Sequence, residues 1–234
     1  MKFKKIIASL CAAVVLSSFG TSPAFSTNIE IAAPQDEFAA ILERINNEYG
    51  TNFHAMTKEE KEELENYGLN FDAAPYESSE SEMTAAEFEE LFRYYAEVKI
   101  PEFERSTQEA IAAAKNAETD TNDIFSVGNN ASTLAAGTII ATKAIDYAVA
   151  GAESSITKDV FGNDVWSGII NGYCYTNMYQ DLWFLAPRPS VKHADGRRTL
   201  SWTGTGDYWA YKNGTQYYLY SGTQYASMHI TNYV

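Results

Sequence analysis

Cysteine is almost missing from this chain of 234 residues, which holds only Cys11 and Cys174. Cys11 falls inside an N-terminal segment, residues 1–26, with the pattern of a secretory signal peptide. Lys2, Lys4 and Lys5 precede an apolar stretch from Ile6 to Phe19, and Ala24-Phe25-Ser26 supplies a small-x-small cleavage site. Its removal leaves 208 residues with Cys174 as the single thiol, which excludes an internal disulfide although an exported compartment permits one. Leu10 stands before Cys11 where a lipid-anchored protein carries a small residue, so lipidation is not expected. Long apolar runs are also missing: Ala131 to Ala150 is interrupted by Lys143 and Asp146, so no transmembrane helix is expected.

The chemistry-bearing patterns are equally sparse. The three histidines, His54, His193 and His229, are isolated and none has a partner at zinc-ligand spacing, so neither a metal nor a cofactor is expected. There is no Gly-x-Ser-x-Gly elbow, phosphate loop or dinucleotide fingerprint. Asp146, Asp159, Asp164, Asp181 and Asp207 are available carboxylates, but nothing in their spacing pairs them for glycosidase work. One nucleophile can be given a base. Gly172-Tyr173-Cys174-Tyr175-Thr176 resembles the Gly-x-Cys-aromatic start of amidase-type cysteine peptidases that cut cell walls, which implies Cys174 as nucleophile with His229 as its base. Only five residues follow His229, leaving little chain for an orienting group, and the competing reading is a buried strand cysteine.

Basic residues are scarce in the first half of the exported chain. Thr27 to Asp123 holds 24 acidic and 7 basic residues, whereas Ile124 to Val234 holds 7 of each. The acidic half argues against nucleic acid or an anionic surface as its partner. Aromatics are distributed the other way, with all four tryptophans and 11 of the 16 tyrosines after Ile124.

After a flexible lead, 27–34, Phe38, Ile41, Leu42, Ile45 and Tyr49 recur at helical spacing and stop at Gly50. Thr57 with Glu60, and Thr84 with Glu87, are capping boxes that open two further helices, the first closed by Gly68. Leu69 to Met83 reads as loop. Phe88, Leu91, Phe92 and Tyr95 form an apolar stripe, and Pro101 predicts a kink or break near Ile100 before a second helical piece through Ala117. This gives an acidic helical region over 35–118 and a linker at 119–123.

The aromatic half, 124–234, reads as strands: Thr138 to Val149, Ser155 to Phe161, Tyr173 to Leu185, two hairpins, and a last strand from Tyr225. The first hairpin turns at Asp195-Gly196, which sets His193 beside Arg198. The second turns at Asn213-Gly214, which pairs Trp209 with Tyr218, Tyr208 with Leu219 and Asp207 with Tyr220. Tyr208, Ala210, Tyr217 and Leu219 then share one face, and Trp209, Tyr211, Tyr218 and Tyr220 the other. Two readings follow: both faces are covered, or the Trp209 face is an exposed stacking platform for sugars. Glycines spaced by eight at 206, 214 and 222, with Gly-Thr-Gln-Tyr present twice, fit either a repeat or, more simply, successive turns of a meander. Arg188, Lys192, Arg197 and Arg198 gather around the first hairpin, where they meet either the acidic helices or an anionic wall polymer.

Two wider resemblances exist. Trp209, Asn213-Gly214-Thr215, Tyr217-Tyr218-Leu219 and Gly222 resemble one unit of the aromatic repeats that bind choline or glucan on bacterial surfaces. Gln216 replaces that family's second aromatic, and such folds stack several units. The plan as a whole, with Asp195-Gly196-Arg197-Arg198-Thr199 followed by Thr203-Gly204-Thr205, is similar to uncharacterised secreted proteins of Gram-positive bacteria, a group that implies export and no activity.

The expectation is an α+β chain: an acidic helical region followed by an antiparallel β-sandwich or partly closed barrel. The leading function is a secreted, non-enzymatic cell-surface or envelope-associated protein. Its β-domain would bind a wall glycan or a surface protein through Trp209, Tyr211, Tyr218 and Tyr220, aided by Lys192, Arg197 and Arg198. The alternatives are a cell-wall thiol hydrolase using Cys174 and His229, and a secreted toxin or bacteriocin-like β-domain with an acidic pro-segment.

Overall fold

Local chemistry sets the stop of the first helix and the starts of the next two. Helix α1, Gln35–Tyr49, turns Phe38, Ile41, Leu42 and Ile45 inward and stops as Gly50 N–H bonds Asn46 O at 2.8 Å. Both capping boxes form: Thr57 caps α2, Lys58–Asn66, and Thr84 caps α3, Ala85–Tyr94, each with its glutamate reaching back to the cap. The computed structural model describes residues 35–72, 83–119 and 138–232. The signal segment, the lead, most of the Leu69–Met83 loop and the Asp120–Asp123 boundary lie outside them. Among the described residues no helix is long and apolar enough to cross a membrane.

The helix does not break before Pro101. Instead a π-helical turn, Tyr95–Lys99, joins α3 to α4, Ile100–Thr119. Proline offers no N–H to the carbonyl four residues back, and the ladder adjusts by one residue so that Ile100 N–H reaches Tyr95 O. The chain therefore stays helical while its buried stripe rotates, keeping Tyr95, Ala96 and Phe103 all inside.

The strands form two antiparallel sheets, so the chain is α+β, and neither sheet closes into a barrel. The smaller sheet is a meander of β2 (Ile139–Ile145), β3 (Ala148–Lys158) and β4 (Asp164–Tyr175). A turn at Asp146-Tyr147 divides the expected run Thr138–Val149, with Tyr147 at φ 58°. The strand around Trp166 had no sequence signal beyond its β-branched and aromatic residues. The larger sheet is built on β7 (Thr199–Lys212), which pairs along one edge with β8 (Thr215–His229). Its other edge is shared by β5 (Leu182–Leu185) and β6 (Ser190–Ala194). The two-residue strand β1, His54–Ala55, lies outside β8.

The two hairpins share β7, and their turns differ. Asn213 and Gly214 take φ 48° and 73°, and Lys212 pairs with Thr215, as a two-residue turn requires. At the other turn Ala194 pairs with Thr199, leaving a four-residue loop in which Asp195, Gly196 and Arg197 all have positive φ. His193 therefore faces Leu200, not Arg198. A bulge between Tyr208 and Trp209 makes Leu219 the extra residue, so Tyr208 pairs with Tyr220 and Asp207 with Ser221. Tyr220 thus moves to the Tyr208 face. Of the three spaced glycines only Gly214 marks a turn: Gly206 of β7 and Gly222 of β8 face each other in mid-strand, so β8 runs on without a break. A Cβ on Gly206 would sit 1.8 Å from Leu185 O, so the close passage of β5 demands glycine there.

Helices and sheets share one core. Phe88 and Phe92 meet Tyr217 edge-on at 5.3 Å, and Phe103 of α4 stacks on Tyr208 at 4.0 Å and 9°. The smaller sheet joins through polar links as well: Trp202 Nε1 donates to Tyr173 O at 3.0 Å, and Arg197 Nε donates to Trp166 O at 2.7 Å.

Candidate functional site

Strand alternation sends Trp209, Tyr211 and Tyr218 to the face of β7 and β8 away from the helical core, and there α2 determines what they become. Trp209 is 1 % exposed. It stacks on Trp183 at 5.7 Å and 15°, meets Tyr218 edge-on at 5.6 Å, and packs with Leu64 of α2 and Met178. Trp183 Nε1 donates to the buried Gln216 side chain at 2.8 Å, and Gln216 Nε2 donates to Met178 O at 2.6 Å. Gln216 is thus the polar pin of a tryptophan cluster, which accounts for its place where an aromatic repeat carries a second ring. Tyr218 is half-buried and stacks on His54 at 4.9 Å, and Tyr211 packs against Tyr179. Of the two readings the covered one holds at Trp209, because the short acidic helix turns its one buried leucine onto that ring, while Tyr211 and Tyr218 stay half-buried.

Cys174 and His229 do not meet. Cys174 Sγ lies 3.8 Å from Phe184 O, and Phe184 pairs with Tyr208, whereas His229 pairs with Thr199. Those two β7 positions are separated by about 30 Å at the usual rise of a strand. Burial pushes the Cys174 thiol up to about 11, which keeps it protonated at neutral pH. His229 instead approaches Asp195 at 3.7 Å and shares a hydrogen bond with Thr231. A thiol–imidazole pair is excluded by this separation.

The basic group is dispersed by its neighbours. Arg188 lies over the Tyr67 ring at 5.7 Å, a contact with the helical half made through an aromatic face. Arg197 is held by Trp166 O. Lys192 and Arg198 remain exposed on the β6–β7 hairpin.

Lys192 borders a cleft of about 480 Å³ between α4 and the β6–β7 pair, lined by Ala114, Ala117, Ser190, His193, Ser201 and Thr203. The alternation Thr199-Leu200-Ser201-Trp202-Thr203-Gly204-Thr205 builds its floor. Leu200 and Trp202 go to the core, and the hydroxyls go to the opposite face. Across the β7–β8 ladder this face continues through Thr223, Tyr225 and Ser227, and Thr205 and Thr223 share a hydrogen bond at 3.0 Å. Burial, reinforced by Arg197, lowers the His193 pKa, so its ring is neutral at neutral pH. Next to Trp209 the same face carries Asp207, which accepts from Ser221 Oγ at 2.5 Å and is shifted upward by burial.

The cleft thus offers hydroxyls that both donate and accept, with one ammonium group. Ser190, Ser201 and Thr203 were not anticipated as site residues, though their strict alternation with apolar residues was visible. Among the described residues no group of three or more His, Cys, Asp or Glu side chains is placed to hold a metal ion. Comparison of the chain with protein-family models, with curated proteins and with solved structures gives no match.

Proposed function

We propose that this chain is an exported, non-enzymatic, envelope-associated protein that binds a wall glycan. Its two sheets serve as an open β-sandwich scaffold and its Lys192 cleft as the binding surface. The hydroxyl-lined floor carries the reading: Ser190, Ser201 and Thr203 stand on paired strands, so their positions are held before a ligand arrives and little ordering cost remains. Lys192 adds a preference for glycans bearing phosphate or carboxylate groups. Export rests on the charged start, apolar core and cleavage site of residues 1–26. The pro-segment alternative loses support because Phe88, Phe92 and Phe103 complete the core of the sheet they would have to leave.

Co-sedimentation of the purified protein with insoluble cell walls, at low and moderate salt, tests this. Wild type is expected to pellet with the walls, and a Lys192→Ala/Thr203→Val variant of unchanged thermal stability to remain in solution. Equal pelleting of the variant would remove the cleft from the reading. No pelleting of wild type at either salt would remove the glycan.

A further inference from the structure

The β3–β4 hairpin ends in a tight loop from Asp159 to Asn163 that is gathered around one carboxylate. Asp159 Oδ1 accepts from the N–H groups of Phe161 and Asn163, both at 2.8 Å, and Oδ2 accepts from the Asn163 side chain at 3.0 Å. Asp159 and Asn163 close the base, N–H to O, at 2.9 Å, and Gly162 takes φ 83° within the loop. This rigid loop carries Val160 at 83 % and Phe161 at 78 % exposed, the two most exposed large apolar side chains among the described residues. Neither contributes to the core.

We propose that this tip inserts Val160 and Phe161 into the interfacial layer of a neutral, zwitterionic lipid bilayer. The tip is convex, so it cannot enclose a small ligand and needs an occupant that yields around it. A phenylalanine covers about 150–250 Å². With one valine more, the tip stays far below the ~800 Å² per partner of a stable protein interface. A bilayer demands no such matching surface, and apolar and aromatic side chains partition readily into its interface. The loop is held in its exposed form already, so insertion orders nothing new. Its charge selects the lipid: Lys158 is ion-paired with Asp164 at 2.5 Å, and hydrogen bonds, from the Asn163 side chain above all, hold the Asp159 carboxyl below the usual range. The tip is therefore net negative and is repelled by anionic headgroups. This proposal does not depend on the glycan reading.

All four native tryptophans are buried, at 0–1 % exposed, so an indole introduced by Phe161→Trp is the one in a position to change its surroundings. Titration of that variant with phosphatidylcholine vesicles is expected to shift its emission to the blue and to make it quenchable by brominated acyl chains. Flotation of the otherwise native protein with the same vesicles should fall at least about tenfold in a Val160→Ser/Phe161→Ser variant, the loss expected for one buried aromatic side chain. Added phosphatidylserine should weaken the shift. Unchanged emission across the titration overturns the proposal, as does a shift that strengthens with anionic lipid. A self-association lost in the Val160→Ser/Phe161→Ser variant, without any vesicle effect, would assign the tip to a protein partner and equally overturn it.

Discussion

The two faces of the β7–β8 ribbon are made by the same alternation and meet opposite fates. On one face Leu200, Trp202, Tyr208 and Ala210 lie in a continuous core beneath α4 and the smaller sheet. On the other, Trp209 is sealed under α2 while Ser201 and Thr203 become a hydroxyl floor. Apolar character on a strand reports burial without naming what does the burying. One face of a single strand can therefore be core at one end and binding surface at the other.

The strongest way to break this comparison is to remove the passage that lets both faces coexist. Gly206→Ala places a Cβ against the backbone oxygen of Leu185, an atom no rotamer change can move. It should destabilise the protein by about 4–5 kcal/mol or abolish folding, as read by urea denaturation. Next, Tyr208→Ala and Trp209→Ala, from opposite faces, should each cost about 3–5 kcal/mol. A near-neutral Trp209→Ala would show that its face is not core.

A smaller effect separates the ends of the second face. Burial raises the Asp207 pKa, with the Ser221 hydrogen bond opposing. Its contribution to stability is therefore complete below the unfolded value of ~3.9 and is lost as pH rises through the folded value. Asp207→Asn should accordingly flatten the decline between pH 4 and pH 7, measured as the difference in unfolding free energy from wild type at each pH. A variant whose decline parallels wild type would contradict the upward shift. Smallest of all, Thr205→Val removes one exposed hydroxyl of the Thr205–Thr223 pair and should change stability by less than about 0.5 kcal/mol.

What could be read from the sequence follows from how local each determinant is. The Thr57–Glu60 and Thr84–Glu87 boxes, the stop at Gly50 and the Asn213-Gly214 register are settled within a few residues, and they were legible. The longer loop after Ala194 was not, because Trp166 N–H and the Arg197 carbonyl bond each other at 2.9 Å, and that partner is distant in sequence. The bulge at Leu219 likewise has no local turn signal: it appears only in the pairing of Tyr208 with Tyr220 and Trp209 with Tyr218. At the site, the Ser/Thr alternation was present in the sequence, but its meaning depended on α4 forming the second wall. The covering of Trp209 depended on Leu64, a single apolar residue in a helix that otherwise reads as a solvated face.

Every partner of β8 precedes it in the chain: β1, β7, α4 and the rings of α3 all close onto residues 215–229. During synthesis Phe38 and Phe88 can already join α1 to α3, but the rings of α3 and α4 lack Tyr217 and Tyr220 until that strand is made, and β1 must wait across more than 150 residues for its ladder partner. Completion of this core is therefore a late event, dominated by long-range pairing.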